Sequence, residues 1–529
     1  MKLKRLFPRI NTKFAVEALL ILILFLASIY ILNVLIFRLI FESSGVHFVD
    51  TPMYWAVGRG ILNGLTPYLD LFETKPPGIF LLSALSFWIF DEPTLTSVSQ
   101  AVVIGGVPVL AMIYAFFLSK ENKLSVHVSS ILILLAFIFG SLLAMYSAFR
   151  SGKVVVESFG SFFIIAYLLT VAMGDKKWSK VHMALAAIFL LIGIGFKEPF
   201  IITSFAGALL LTKNLVKKFL IPLLLAAAAG TIILFLLDFL QPFFSLYLKE
   251  MITHRINPES IWIMAFKEYE RPFFNMSKYS IYLANSVLVL AFAFVAYRVK
   301  DSVKSNRLFT AVLSLFLALY LSALAVGMGG DFFNHHFIFA VPVYSALLFV
   351  FLHFASRHWS QDAVKIFLGA LILLSVSAAL HIPLKTYEIK TNVANKRNDR
   401  REMQAEVIDN ILDNCGLERY LFLGSVGRHP YGYTKHSPIG PFFFQDLRFF
   451  STSLWFRDGN YEYDDEFLAS LKEADIIVKK KWPPKSVRND VIQYVNENFS
   501  TEPWLCAVNA VKEYRPDIIA PYQLFYRNK

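Results

Sequence analysis

Charged residues that could do chemistry are concentrated in one stretch, "HFVDTPMYWAVGRGILNGLTPYLDLFETKPPG", which runs from His47 to Gly78 between two apolar segments. Asp50 follows the first apolar segment by a few residues, where a carboxylate is partly desolvated and suited to act as a general base. Asp50 also precedes an amphipathic run with an early proline, which is the pattern of a helix N-cap. Catalysis and capping both fit Asp50 at this point.

Lys75 comes directly before Pro76 and Pro77 in the same stretch. The two prolines disfavour a helix and predict an extended turn. An ammonium group held rigidly at a membrane surface is a ligand for a lipid phosphate. The simpler interpretation is that the side chain only reaches along apolar surface to the headgroups. The nearby Asp50 favours the phosphate ligand.

Other candidates lie in the segments that join later apolar blocks. Glu157 opens such a block and fits either a catalytic role or a helix cap. Lys197 and Glu198 precede Pro199 at a predicted helix break. Ions at the membrane are costly and tend to mark sites, although a plain ion pair also fits. Candidates for binding a donor phosphate, or lipid in general, are Lys75, Lys197, Arg150, Arg255, His335 and His336. Candidates for binding substrate are Tyr54, Tyr68, Glu73, Glu198 and Asp331, the last of which also fits a simple turn.

The sequence contains no tight spacing of metal ligands, and no cofactor is certain. Oxygen and nitrogen atoms suited to a divalent ion are present in Asp50, Glu73, Glu157, His335 and His336. A divalent metal ion is therefore left open.

The composition assigns these residues to a membrane protein. Of the 529 residues, 56% are hydrophobic and 17% are charged, whereas soluble domains carry about 25% charged residues. The apolar residues form blocks long enough to cross a hydrocarbon core of about 30 Å. The net charge of +12 arises largely in short loops between these blocks. This placement is a topology signal and does not resemble a nucleic-acid-binding surface.

We predict a polytopic α-helical protein of the inner (plasma) membrane, with about 11 spans and a range of 11–13. The first apolar segment follows five basic residues and is interpreted as a retained anchor. With the N-terminus in the cytoplasm, the basic loops all fall on the cytoplasmic side. The apolar segment 77–90 is short and is expected to be re-entrant or interfacial. The predicted spans are 16–41, 94–119, 124–145, 154–173, 181–196, 199–212, 219–240, 278–298, 308–328, 336–354 and 363–382.

The pattern changes at Lys385, and we predict a membrane domain at 1–384, with its first outer loop at 42–93, and an extracytoplasmic α/β domain at 385–529. A helix is predicted before Gly416, and helices also in "DDEFLASLKEA" and "SVRNDVIQYVNENF". Strands are predicted in "RYLFLGSVG" and "ADIIVKK", and "WLCAVNAVKEY" with "YQLFYRN" is expected to close a hairpin. Cys415 and Cys506 fit either a disulfide or two separate buried thiols.

The first outer loop resembles that of a known family. The pattern D-x-x-x-Y-W-x-x-x-x-x-I-L-x-G-x-x-P-Y-L-D-x-x-x-x-K-P-P-G is similar to GT-C glycosyltransferases of the clade that includes protein O-mannosyltransferases and the lipid A aminoarabinose transferase. The resemblance implies that Asp50 is the catalytic or acceptor-orienting carboxylate and that Lys75 begins the second motif. The family acid is often Asp-Glu, whereas Thr51 follows Asp50 here.

Later segments resemble the family more weakly, with Glu157 as the acid that opens a helix and His335 or His336 in the late motif. The resemblance implies an inverting enzyme that moves a sugar from a polyprenyl-phosphate donor to a protein, lipid or cell-envelope glycan on the outer face of the membrane. Asp50 and Glu157 would be catalytic. Two other functions stay open from the residues alone: a multi-span transporter or lipid flippase, and a non-catalytic membrane partner.

Overall fold

The chain folds into a bundle of helices followed by a small α/β unit, as seen in a computed structural model. The described residues between 12 and 381 form the bundle, and those between 398 and 528 form the α/β unit. The structure describes residues 12–43, 51–71, 75–92, 94–148, 156–174, 178–249, 278–299, 305–328, 334–381, 398–423, 432–439, 471–480, 489–513 and 522–528.

Thirteen helices of the described bundle residues are labelled here in chain order. The described residues also form π-helical turns at Val216–Leu220 and Phe243–Leu248 and a 3-10 helix at Asn334–Ala340. The helices are α1 (Thr12–Ser43), α2 (Thr51–Leu62), α3 (Pro77–Phe90), α4 (Thr94–Glu121), α5 (Val126–Ala148), α6 (Val156–Met173), α7 (Lys180–Phe196), α8 (Phe200–Leu211), α9 (Ile221–Leu236), α10 (Lys278–Val299), α11 (Ser305–Met328), α12 (Val341–His358) and α13 (Asp362–Leu380).

Nine helical segments in the described ranges are long and apolar enough to cross a membrane: α1, α4, α5, α6, α9 with its π-helical turn, α10, α11, α12 and α13. Helices are favoured there because they satisfy their backbone hydrogen bonds internally, which the hydrocarbon core cannot do. The chain is therefore a polytopic helical membrane protein. These segments correspond to nine of the eleven predicted spans.

The two remaining predicted spans are the shorter helices α7 and α8. With 17 and 12 residues, they extend about 25 Å and about 18 Å at 1.5 Å per residue. The break between them falls at Lys197–Pro199, as predicted. Helix α3 corresponds to the apolar segment 77–90, and its 14 residues extend only about 21 Å, less than a hydrocarbon core of about 30 Å.

The bundle has two chemically different ends. We call the end at which α4 and α6 begin and α7 stops the motif end, because α2 and α3 lie there. We call the other end the basic end, since described lysine and arginine residues lie at its helix termini. There Asn122, just after α4, donates to the hydroxyl of Ser356 near the end of α12, and Arg298 near the end of α10 donates to the carbonyl oxygen of Leu210 in α8. These contacts align the helices of that end at one level.

The described residues of the α/β unit form a five-stranded sheet in the order β2 (Ser437–Ile439), β1 (Arg419–Leu423), β3 (Ile476–Lys480), β5 (Tyr522–Arg527) and β4 (Phe499–Ser500). β1 pairs in parallel with β2 and β3, whereas β5 pairs antiparallel with β3 and β4. Its described helices are α14 (Asn398–Cys415), α15 (Asn489–Asn498) and α16 (Leu505–Glu513).

Several local predictions for this unit are confirmed. Helix α14 ends before Gly416, whose φ of +65° is the left-handed conformation typical of a glycine C-cap. Strands β1 and β3 and helix α15 lie where the pattern predicts them. In "DDEFLASLKEA" only residues 471–474 are described, and residues 471–473 are helical. The domain boundary at 384/385 stays a prediction.

The predicted hairpin at the C-terminus is wrong. The segment "WLCAVNAVKEY" forms helix α16, and both edges of β5 are occupied by β3 and β4. Helix α16 packs on α14, where Cys506 forms a disulfide with Cys415, with their Cα atoms 5.2 Å apart. The sequence left the disulfide and two separate thiols open. The local apolar run is compatible with a strand, and its packing on α14 is what selects the helix.

Candidate functional site

The described part of the chain includes only some of the predicted site residues. Helix α2 begins at Thr51, as the early proline predicts, and Asp50 directly precedes it. Residues with described side chains are Tyr54, Tyr68, Lys75, Glu157, Lys197, Glu198 and His336. Residues outside the described ranges are Asp50, Glu73, Arg150, Arg255 and Asp331, and the side chain of His335 is likewise not described.

A tight turn follows α2 and returns the chain toward the bundle. The carboxylate of Asp70 accepts a hydrogen bond of 2.7 Å from the backbone N–H of Thr66. The backbone N–H of Tyr68 donates to the carbonyl of Leu71 over 2.9 Å, and Tyr68 has a φ of +69°. Asp70 therefore stabilises the turn. This structural role accounts for one of the acidic residues in this stretch.

Tyr68 supports the backbone at Lys75. Its side chain is completely buried, and its hydroxyl donates to the carbonyl oxygen of Lys75 over 2.9 Å. Its ring lies 4.9 Å from the ring of Tyr247 and 6.0 Å from that of Phe80. Tyr54 from α2 joins the same aromatic cluster, 6.4 Å from Phe80. Packed aromatic rings therefore fix the backbone of the half-buried Lys75.

Two glycines set the distance between the Lys-Pro-Pro-Gly motif and the end of α7. A Cβ atom at Gly78 would lie 2.6 Å from the carbonyl oxygen of Gly195. Only a residue without a side chain permits this approach, as small residues do at helix contacts within membranes. The contact brings Lys75, which precedes α3, to the same region as Lys197, which follows α7.

The break between α7 and α8 carries a buried charge. Lys197 is only 2% exposed and has extended backbone angles, so it ends α7. Glu198 is half-buried and accepts a hydrogen bond from the hydroxyl of Tyr247, in the π-helical turn Phe243–Leu248. Tyr247 therefore connects Glu198 to the aromatic cluster that supports Lys75.

A second close helix contact brings Glu157 to the level of Lys197. Glu157 lies in the first turn of α6 and is 3% exposed, so the N-terminal end of the helix dipole favours its negative charge. A Cβ atom at Gly160 would lie 3.0 Å from the carbonyl oxygen of Gly193 in α7. Because the two helices run in opposite directions, Glu157, one turn before Gly160, lies at the same level as Lys197, one turn after Gly193.

His336 reaches the same region through a chain of rings. It is 4% exposed and lies 6.1 Å from the ring of Phe339, which lies 4.8 Å from that of Phe200. Phe200 is the first residue of α8 and follows the Lys197–Glu198 break. The described candidates therefore lie around the start of α8.

The site is recessed below the rim of the bundle. Ile79 and Phe80 at the start of α3 share a cluster with Val103 of α4, which is about 14 Å along the helix from Thr94 at 1.5 Å per residue. The short α8 indicates the same depth for the break that precedes it. Charges at such a depth are desolvated, and opposite charges and dipoles there interact more strongly than in water.

This arrangement can bind an anion and handle a proton. Lys75 and Lys197 supply positive charge, Glu157 and Glu198 supply carboxylates, and aromatic rings form the walls. Among the described residues, no group of three or more His, Cys, Asp or Glu residues is arranged to hold a metal ion. Three of the five metal-ligand candidates, Asp50, Glu73 and the His335 side chain, lie outside the described ranges.

No protein-family model matches this sequence. No curated protein matches it either.

Sequence reasoning missed Tyr247 and the glycine contacts. Tyr247 follows the predicted span 219–240 and gave no signal of its own, because its role depends on reaching Glu198 across the fold. Gly78 was present in the quoted motif, and Gly193 and Gly195 form a small-residue pair at the end of an apolar segment. Such pairs are the available signal for close helix contacts.

Proposed function

We propose that this chain is an inverting membrane glycosyltransferase of the GT-C type. It transfers a sugar from a polyprenyl-phosphate donor to an acceptor hydroxyl or amine of a protein, lipid or cell-envelope glycan. The motif end of the bundle faces the outside of the cell, and the basic end faces the cytoplasm. This orientation is supported by the basic residues at one end and by the disulfide in the α/β unit, a bond that persists in oxidising compartments.

The observation that supports the proposal most is the convergence of three separate segments. The Lys-Pro-Pro-Gly motif packs on the end of α7 through Gly78, and the break at Lys197–Glu198 follows there directly. Glu157 lies at the same level on α6. The sequence motif that resembles the family is thus located beside buried charges from distant parts of the chain, in a recess among aromatic rings.

The chemistry follows from charge. The acceptor oxygen or nitrogen attacks the anomeric carbon, the bond from that carbon to the phosphate oxygen breaks, and the lipid phosphate leaves with the bonding electrons. Asp50 accepts the proton of the acceptor. General-base catalysis of this kind typically raises the rate by about 10²–10⁴-fold. A single displacement from the opposite face inverts the anomeric configuration.

The cations act on the leaving group. Lys75 and Lys197, with His336, stabilise the negative charge that develops on the lipid phosphate, which is the usual role of fixed positive groups in a desolvated site. Arg150, Arg255 and His335 are further candidates for this role. A lipid-linked donor suits a site on the outer face because no pool of nucleotide sugars exists there. Glu157 would orient the acceptor or share its proton.

The test is transfer by Asp50→Asn in membranes supplied with radiolabelled polyprenyl-phosphate sugars. We expect loss of transfer by at least about a hundredfold, since the general base is removed. Asp238→Asn is the matched control, because Asp238 is an exposed carboxylate just after α9 at the same end of the bundle. Its φ of +58° also suits asparagine. Expression is matched by immunoblot.

Three outcomes separate the functions. Loss of transfer in Asp50→Asn with retention in Asp238→Asn supports the proposal. Full transfer in Asp50→Asn reduces Asp50 to a helix cap and removes it from the mechanism. Absence of transfer by the wild-type protein from every donor favours a transporter, a flippase or a non-catalytic partner.

A further inference from the structure

Helix α2 lies between the site and the α/β unit. One face contributes Met53 and Ala56 to an apolar core that also contains Val407 and Ile411 of α14 and Tyr420 of β1. The α/β unit is therefore attached to the bundle by more than its linker. It shares a core with the helix that begins directly after Asp50.

An adjoining face of α2 belongs to the site. Tyr54 and Val57 pack in the aromatic cluster that contains Tyr68, Phe80 and Tyr247. Since residues on the two faces belong to one short, rigid helix, a displacement of α2 by the α/β unit would move the aromatic support of Lys75 as well.

The α/β unit also packs closely on the first turn of α2. A Cβ atom at Gly432 would lie 2.5 Å from the Cα atom of Pro52, so the two backbones touch. The ring of Trp55 meets that of Tyr433 edge to face at 5.3 Å. Pro52 is two residues from Asp50. The α/β unit thus packs directly on the first turn of the helix that follows the proposed base in the chain.

Polar groups mark the rest of this junction. At the end of α2, the side-chain amide of Asn63 donates to the hydroxyl of Ser437 in β2 over 3.0 Å. Arg59 lies 4.2 Å above the ring of Phe87, and its guanidinium is 3.9 Å from the carboxylate of Asp91 at the end of α3. Arg59 therefore joins α2 to α3.

The charge of Arg59 also interacts with the α/β unit. Burial lowers the pKa of Arg59, and the charges of Asp91 and of Asp409 in α14 oppose this effect. Asp409 is buried and is fixed by the backbone N–H groups of Lys435 and His436, over 2.9–3.3 Å. The loop that Asp409 holds leads directly from Gly432 to β2. The positive charge of Arg59 thus interacts with a carboxylate of α3's end and with one of the α/β unit.

We propose that the α/β unit is a positioning element of the site, and that it holds α2 through the backbone contact of Gly432 with the start of the helix and through the charged junction at Arg59 near its end. Arg59 is a positioning residue and does not touch the reacting atoms. The inference rests on the proposed glycosyl transfer for its catalytic consequence. Its structural consequence, the docking of the α/β unit on α2, is measured without any sugar donor.

Docking is tested by cross-linking Asn63→Cys with Ser437→Cys in membranes under mild oxidation. The native Cys415 and Cys506 already pair with each other. We expect rapid disulfide formation between the new cysteines. Asn63→Cys with Ser500→Cys is the matched control, because Ser500 lies in β4 at the opposite edge of the sheet from β2, about 19 Å away at about 4.8 Å per strand. Equal cross-linking in both pairs would overturn the docking.

The role of Arg59 is tested in the same cross-linking background. Arg59→Met removes the charge while keeping an extended apolar side chain, and we expect cross-linking to slow by about tenfold, within the range usual for coupling between two sites. Arg307→Met, at an exposed arginine of α11, is the control and should cross-link at the wild-type rate. An unchanged rate in Arg59→Met would refute the assignment to Arg59.

The decisive readout is rescue of transfer by the cross-link. We expect Arg59→Met to lower kcat with little change in KM, because the geometry of the site is lost more than its affinity. Closing the disulfide between the two introduced cysteines should then restore kcat, since the covalent bond replaces the missing hold on α2. A closed disulfide without recovery of kcat would show that Arg59 acts in another way and would overturn its positioning role.

Gly432→Ala supplies a second, independent variant. The added methyl group would meet the backbone of Pro52, so we expect slower cross-linking of the same cysteine pair and a lower kcat. Gly369→Ala in α13 is the control, because a Cβ atom there meets nothing within 4 Å. Wild-type behaviour of Gly432→Ala in both measurements would refute the backbone contact.

Discussion

The two ends of the bundle each bury a lysine, but in different surroundings. At the basic end, Lys218 is 5% exposed and lies in a π-helical turn, with its ammonium 5.7 Å above the ring of Trp178. Its carbonyl accepts a hydrogen bond from Tyr167. At the motif end, Lys197 is 2% exposed and lies at a helix break beside Glu198, level with Glu157.

The difference shows that burial of a charge does not by itself mark a site. Lys218 extends an apolar stem over an aromatic ring close to the bundle end, which is common for interfacial lysines. Lys197 lies deeper, where two carboxylates and three chain segments converge. We therefore expect catalysis to depend on Lys197 and to be nearly independent of Lys218.

The largest expected effect is the difference in transfer activity between substitutions of Lys197 and of Lys218. Lys197→Met should lower transfer by about a hundredfold, the usual cost of removing one group that stabilises developing charge. Lys218→Met should keep transfer within about twofold of the wild-type rate and change only thermal stability, because a cation–π contact is worth about 0.5–2 kcal/mol. Radiolabel transfer and thermal unfolding in detergent measure the two quantities. Equal losses in both variants would contradict the distinction.

The next effect concerns the glycine contact that brings the motif to the site. Gly78→Ala should reduce the free energy of unfolding by about 1–3 kcal/mol, because a Cβ atom there would press on Gly195. It should also lower transfer, since a displacement of α3 would move the preceding Lys75 away from Lys197. Gly195→Ala is the control, because its own Cβ atom meets nothing within 4 Å. A larger loss of stability or of transfer in Gly195→Ala than in Gly78→Ala would contradict this prediction.

A smaller effect is expected at Tyr247. Tyr247→Phe removes the hydroxyl that donates to Glu198 and should lower transfer by about tenfold, because a hydrogen bond to a charged group is worth about 1.5–3 kcal/mol. Combined with Glu198→Gln, the loss should be less than additive, as for residues in contact. Tyr282→Phe in α10 serves as the control. Strict additivity of the two substitutions would show that Tyr247 and Glu198 act independently in transfer.

The smallest effect is a pH dependence at the junction of α2 with the α/β unit. Burial raises the pKa of Asp409 above its ordinary value of 3.8. Between that value and the raised pKa the folded protein binds more protons than the unfolded chain, so the free energy of unfolding falls as the pH rises through this interval. Asp409→Asn should remove this contribution.

The difference between wild-type and Asp409→Asn stability, measured by thermal unfolding across the acidic range, isolates the effect. Asp475→Asn is a control, because Asp475 is a partly exposed carboxylate of the same unit. A stability difference between wild type and Asp409→Asn that does not vary with pH would contradict the raised pKa.

Much of the fold was readable from local patterns. Apolar runs of about 20 residues predict membrane helices because the hydrocarbon core imposes a length, whatever the neighbouring helices are. The helix break before α8 was predicted from Pro199, and the end of α14 from Gly416, because both depend on the backbone of one residue. The helix at 505–513 was predicted wrongly, since a short apolar run fits a strand or a helix until its packing partner is known.

The site was predictable only as a set of candidates. The sequence alone determined that this is a membrane protein with charged residues at helix breaks and loops, because desolvation and backbone geometry act locally. The tertiary structure alone decided which segments meet: the Lys-Pro-Pro-Gly motif with the end of α7 through Gly78, Glu198 with Tyr247, and α2 with the α/β unit. Those contacts join residues far apart in the chain, and only the packing of the complete fold brings such residues together.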